Sequence, residues 1–357
     1  MFVALRSRAA LAAALFTLVA CGQETPLPTT LEPVEMITDV DLSEAAFETE
    51  PTLALADLGV AIDDALVNLG GFASVLPSIV AEGPRASSPA RQLDSATEFT
   101  SGGPVNAIPL AVLGKTLVWN LATTSYELSN PALPGAPANG VRFILYQIDP
   151  TTGFPADPLV ERGYVDLTRE GTASNPAARL AAYTTGGVKV LEYLATVTLS
   201  NNGSAVSYRV EGVAGTGPNA ATFTLTVGLN LFSGTPSATW RTVIAARALS
   251  SRVTVNVGAN TYSLTGVLQR GLRKVEIGGT INLTTGGQLA VKVGNKTFAR
   301  IALNSAGEVT VTNPDGLPLT PEEEETLERI FRWFESALGW YNTVLNPVYT
   351  VMDVPPN

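Results

Sequence analysis

The sequence predicts a mainly β (α+β) protein: a large curled antiparallel sheet or open barrel, covered by an amphipathic C-terminal helix and preceded by N-terminal helices. Three observations lead there. Between Thr116 and Thr312, apolar and polar residues alternate with period two over long segments. Gly- and Asn-rich turn signals separate many of these segments, with no room for the crossover helices a parallel sheet needs. One strongly amphipathic helical pattern, 321–342, follows the last of them.

In chain order, 42–81 reads as helical. Leu55, Leu58, Ile62, Leu66 and Leu69 recur every three to four residues, with Asp57, Asp63 and Asp64 off the stripe or at its edge. Gly70-Gly71 interrupts, and a second short helix is expected over Phe72–Val80 despite Pro77. Residues 82–110 hold Pro84, Pro89, Pro104 and Pro109 among serines and read as a loop or second linker. The domain that follows, 111–357, carries the β pattern.

Its predicted strands are 116–122, 141–148, 161–167, 187–199, 204–214, 220–230, 238–249, 252–257, 260–269, 272–283, 287–294, 297–303 and 308–312. Asn201-Asn202-Gly203, Gly215-Thr216-Gly217-Pro218 and Asn304-Ser305-Ala306-Gly307 are among the turns between them. Alternation is cleanest in the middle. Ala221, Phe223, Leu225, Val227 and Leu229 oppose Thr222, Thr224 and Thr226, and Val253, Val255 and Val257 oppose Arg252, Thr254 and Asn256. One apolar and one polar side means a sheet wet on one face and covered on the other. Gly212, Gly228, Gly266 and Gly278-Gly279 fall in or near strands and predict bulges or bends, which favours a curled sheet.

The apolar side needs a cover. Thr320-Pro321-Glu322-Glu323 predicts an N-cap, a proline at the first helical position and a capping-box glutamate. Beyond it Leu327, Ile330, Phe331, Phe334, Leu338 and Tyr341 form one stripe, widened by Trp333, Ala337 and Trp340. The sheet is the expected partner. Phe331, Phe334 and Leu338 on the helix, with Phe223 and Leu225 on the sheet, are the candidate contacts of a lid or of an apolar ligand held beneath it. A short edge strand is expected at Val348–Val354.

Composition limits the chemistry. The 357 residues hold no histidine and one cysteine, and carry a formal charge of -10. Ser-His-Asp and Cys-His nucleophile systems, Cys/His zinc sites and an intrachain disulfide are thereby excluded, and a net acidic chain is a poor nucleic-acid binder. Acid–base catalysis would need paired carboxylates. Asp149, Asp157, Glu161, Asp166, Glu170, Glu192, Glu211 and Glu276 are scattered, with no spacing that forces a pair together. Asp149-Pro150-Thr151-Thr152-Gly153 reads as a turn with Asp149 as its cap. No cofactor or metal is expected.

The N-terminus has the pattern of an export signal, residues 1–20. Arg6 and Arg8 precede an apolar stretch over Ala9–Ala20, too short to span a bilayer. Cys21 follows Leu18-Val19-Ala20, and Gly22-Gln23-Glu24 is polar. This resembles the lipobox of bacterial lipoproteins. The resemblance implies cleavage before Cys21, a diacylglycerol on its thiol and an acylated amine. Two or three acyl chains hold a protein firmly at a membrane. Gly22 stands where an aspartate would resemble an inner-membrane retention signal, so the outer membrane is favoured if the organism has two membranes. Residues 21–41, with Pro26, Pro28 and Pro33, read as the lipidated tether.

The expectation is a non-enzymatic, membrane-anchored envelope lipoprotein that binds a lipid or other apolar ligand between sheet and helix. In outline it resembles the half-barrel carriers of lipids and lipoproteins in bacterial envelopes. The alternative is a structural or adhesion lipoprotein with a fully packed core, using its Thr-rich face or a sheet edge toward an envelope protein partner. A membrane-inserted barrel and a carboxylate hydrolase are weaker readings. Aromatic girdles are lacking, and the carboxylates do not cluster in sequence.

Overall fold

Alternating sequence becomes strand where a neighbour completes the ladder, and fifteen strands form among the described residues of this computed structural model. The structure describes residues 52, 108, 110–149, 151–152, 154–172, 175–200, 205–230, 235–331 and 333. The chain divides into two compact units, with a boundary between Thr196 and Val197.

The first unit contains β1 (Lys115–Asn120), β2 (Ser125–Leu128), β3 (Gly140–Tyr146), β4 (Glu161–Thr172), β5 (Asn175–Tyr183) and most of β6 (Lys189–Leu199), up to Thr196. Their order is β6-β5-β4-β3-β1-β2. The pairs are antiparallel except β1–β3, which run parallel with Leu117 opposite Phe143. Residues in register share a face. Leu117, Phe143, Val165, Ala182 and Leu191 make one buried row, and Val141, Leu167, Leu180 and Tyr193 make the next.

The second unit contains β7 (Ala205–Ala214), β8 (Ala221–Asn230), β9 (Thr235–Ile244), β10 (Leu249–Val257), β11 (Thr261–Arg270), β12 (Arg273–Asn282), β13 (Gly286–Val293), β14 (Lys296–Leu303) and β15 (Val309–Thr312). Each pairs antiparallel with the next in sequence. A row of Val210, Leu225, Trp240, Val253, Gly266, Ile277, Val291 and Ala299 crosses eight strands and is buried throughout. The adjacent row on the opposite face is Arg209, Thr226, Thr239, Thr254, Thr265, Gly278, Ala290 and Arg300, none of them buried. Turns reuse one device. The Oδ1 atoms of Asn304 and Asn313 accept backbone N–H bonds from the second and fourth residues beyond them. Gly307 and Gly316 supply the left-handed residue at φ 83° and 82°.

The strongly curled sheet or open barrel expected from the sequence does not form, and the likeness to half-barrel carriers falls with it. Strand order is linear in each unit, and among the described residues no pairing joins the first strand of a unit to its last. The glycines taken as bulge markers explain the error. Gly212, Gly228, Gly266, Gly278 and Gly279 all sit in unbroken register. The irregularities lie instead at Leu145/Tyr146, Ala182/Tyr183 and Val291/Lys292. Gly279 is there for close approach: its φ is 157°, and a Cβ would lie 2.0 Å from the Gln288 carbonyl oxygen.

Three other differences have local causes. β2 was not predicted because it is four residues long. β5 reads Asn-Pro-Ala-Ala-Arg-Leu-Ala-Ala-Tyr, and alanine and proline are depleted in strands. The segment predicted as strand 238–249 is broken after Ile244 by a turn through Ala245–Ala248, with no Gly or Asn to announce it and Ala248 itself at φ 50°.

The C-terminal helix α1 spans 321–331, and Trp333 is also helical. Its capping box forms as expected. The Thr320 N–H donates to Glu323 Oε2 at 2.8 Å, and the Glu323 N–H donates to Thr320 Oγ1 at 3.3 Å. Glu325 and Arg329 pair along one side. The remainder of the expected helix to 342, the edge strand Val348–Val354 and the N-terminal helices lie outside the described residues, Thr52 excepted. The expected loop 82–110 is described only at its end, where Ile108 is buried and Leu110 opens a short 3-10 turn to Val112.

Candidate functional site

Alternation in β8 and β9 puts Phe223, Leu225 and Trp240 on the apolar face of the second unit. Phe223 and Leu225 are 1% and 0% exposed. Phe223 stacks on Trp240 with ring centroids 5.6 Å apart. On α1, Leu327, Ile330 and Trp333 are buried and Phe331 is half-buried. Phe334, Leu338 and the lipidation candidate Cys21 lie outside the described residues.

Burial is uneven along this face. The rows through Trp240 and Thr242 are closed. Val227, Ala238, Val255 and Leu264, which share the next row, are only half-buried. Within the closed part, Thr242 stands directly opposite Ser251, and both are buried. Thr242 Oγ1 has no hydrogen-bond partner. A buried hydroxyl left unpaired costs free energy, so Thr242 and its neighbour Ser251 form a polar spot within the closed part of the face.

The first unit gathers charge on its polar face. Arg142 on β3 faces Asp166 on β4 and grips it through two bonds, Nε to Oδ1 at 2.7 Å and the second arm to Oδ2 at 2.8 Å. The guanidinium also lies 3.9 Å from the centre of the Tyr164 ring, which stacks on Tyr183 at 4.8 Å. Bonding to Asp166 raises the Arg142 pKa above its ordinary value against the desolvation that lowers it. Burial, then the nearby Asp166 charge, pushes the Tyr183 phenol up. Two strands on, Arg179 reaches Glu170 at 2.9 Å and Glu192 at 3.4 Å, and Lys189 reaches Glu192 at 2.6 Å.

Three carboxylates scattered in sequence, Asp166, Glu170 and Glu192, therefore share one face. Each is held by a cation, so these three form no proton-sharing pair of the kind acid–base catalysis uses. Glu211 and Glu276 are likewise paired, with Arg209 and Lys274. Glu161 is exposed at the start of β4. Asp149 caps its turn, accepting the Thr151 N–H at 2.8 Å. Asp157 precedes a cis Pro158. The Arg142–Tyr164–Tyr183 cluster was missed in the sequence because its members are 41 positions apart at the extremes and only strand register joins them.

Among the described residues, no group of three or more Cys, Asp or Glu is placed to hold a metal ion, and no helix is long and apolar enough to cross a membrane. No family model, curated protein or solved structure matches the chain.

Proposed function

We propose that this chain is a bacterial envelope lipoprotein, anchored through acyl groups on Cys21, whose strands serve as a non-enzymatic scaffold displayed from a proline-rich tether. The observation that carries the reading is the sequence Leu18-Val19-Ala20-Cys21, behind a basic start and an apolar run and containing the chain's single cysteine. The acidic charge supports an acyl anchor over electrostatic adhesion, since a surface of this sign is not drawn to anionic lipid. Gly22 in place of aspartate favours the outer membrane where two membranes exist.

The test is Cys21→Ala expressed beside the parent in a bacterial host. The parent is expected to incorporate labelled palmitate and fractionate with membranes, and the variant to lose both. Equal labelling and fractionation of the two would sink the reading.

A second reading, an apolar ligand held on the apolar face of the second unit, is favoured by the half-buried row beside the closed row of Trp240. Its acyl chain would lie along Val227, Ala238, Val255 and Leu264. Organic extraction and mass spectrometry of the purified protein test it. A stoichiometric lipid that is released from the parent and reduced in Leu264→Gln supports it. Protein free of lipid beyond the Cys21 acyl groups refutes it.

A further inference from the structure

The polar face of the second unit sets two cations side by side. Arg241 on β9 stands directly opposite Arg252 on β10, and both are exposed. Like charges directly opposite each other on a sheet repel. Their row runs Glu211, Thr224, Arg241, Arg252, Val267, Glu276, Lys292. Both carboxylates of that row are already engaged on their own strands, Glu211 by Arg209 and Glu276 by Lys274. Among the described residues, no carboxylate pairs with Arg241 or Arg252, although the chain has 32 acidic residues against 22 basic. Two adjacent guanidinium groups thus stand without a carboxylate partner among the described residues.

Neutral residues flank the pair, several of them hydroxyl-bearing, with Val267 opposite Arg252 on β11. Thr224 adjoins Arg241 across the β8–β9 ladder, and Ser250 lies opposite Val243 on one side. On the other side Thr239 and Thr254 share a hydrogen bond of 3.1 Å, in a row continued by Thr226 and Thr265. Two planar guanidinium forks match the several oxygens of one phosphate, and each such bond is charge-assisted. The flanking threonines and serines offer donors and acceptors for sugar hydroxyls.

We propose that Arg241 and Arg252 form a receptor for the phosphate group of a phosphorylated saccharide, with the adjacent Thr rows contacting the sugar. Binding lowers the repulsion between the two arginines, and repeated phosphates on a polymer would add avidity. The site is independent of Cys21: its failure leaves the anchoring reading intact, and loss of the anchor leaves this site intact.

The full-length purified protein is titrated with glucose 6-phosphate, with glucose and with inorganic phosphate at low salt, following the arginine Nε–H resonances. Glucose 6-phosphate is expected to shift the Arg241 and Arg252 signals with a dissociation constant on the order of millimolar. Arg241→Gln and Arg252→Gln should each weaken it at least about tenfold. Lys296→Gln, an exposed cation off the patch, should change it less than about twofold. Glucose should not bind, and inorganic phosphate should bind more weakly. Unmoved Arg241 and Arg252 signals, undiminished binding in both variants, or equal binding of glucose overturn the site. Inorganic phosphate binding as tightly as glucose 6-phosphate overturns the saccharide assignment.

Discussion

Replacing Trp240 with alanine tests whether the long apolar row of the second unit is a closed core. Trp240 is 5% exposed, sits between Leu225 and Val253 in register, and stacks on Phe223 at 5.6 Å. Truncating a buried tryptophan to alanine costs about 3–5 kcal/mol, because the lost transfer free energy adds to the cavity left behind. The ring pair contributes about 0.5–1.5 kcal/mol of that. For a unit of this size, such a loss lowers the melting midpoint by roughly 10 °C. Urea unfolding followed by far-UV circular dichroism measures the cost without relying on the tryptophan removed. A double-mutant cycle with Phe223→Leu isolates the stacking contribution as a coupling between the two rings. Trp240→Phe keeps an aromatic ring and should recover about half of the loss. A cost for Trp240→Ala below about 1 kcal/mol would refute the reasoning, since only a solvent-accessible or loosely covered ring is removed so cheaply.

Three further substitutions test other parts of the fold. Gly279→Ala places a methyl group 2.0 Å from the Gln288 carbonyl oxygen at a φ of 157°, so it should destabilise the second unit by at least about 2 kcal/mol in the same urea assay. An alanine accepted there without cost would mean the β12–β13 backbones are farther apart than described. Thr320→Ala removes the cap that accepts the Glu323 N–H and should cost about 1 kcal/mol, with faster amide exchange confined to the first turn of α1. Arg142→Lys keeps the charge but loses both the two-armed grip on Asp166 and the fit over Tyr164, at about 1–3 kcal/mol. Recovery of full stability by lysine would show that charge alone holds that cluster.

Legibility followed the range of the interactions. The capping box Thr320–Glu323 and the Asp149 turn involve residues two or three positions apart, and both formed as the local pattern implies. The apolar and polar sides of β8 and β10 were equally plain, because the two-residue period of an extended chain sets side-chain direction before any partner is present. The short strand β2 was invisible for want of length, and β5 for want of β-favouring residues; their neighbours supply the ladders that hold them. The glycines were ambiguous. Alone, an interior glycine is consistent with a bulge or with close backbone approach, and only the facing strand distinguishes them.

Sequence by itself determined most of the strand-forming segments, which side of the clearly alternating ones is apolar, where α1 starts, and that histidine-based chemistry and an intrachain disulfide are unavailable to this chain. The tertiary structure alone decided strand order, the parallel β1–β3 pair, the linear rather than closed arrangement within each unit, and the register that sets Arg142 on Asp166 and Arg241 against Arg252. The physical reason is reach. Side-chain alternation is a property of one extended segment, whereas register is a choice among many pairings. It is settled by which alignment buries the apolar rows together, and the charged residues on the other face are carried into place with it.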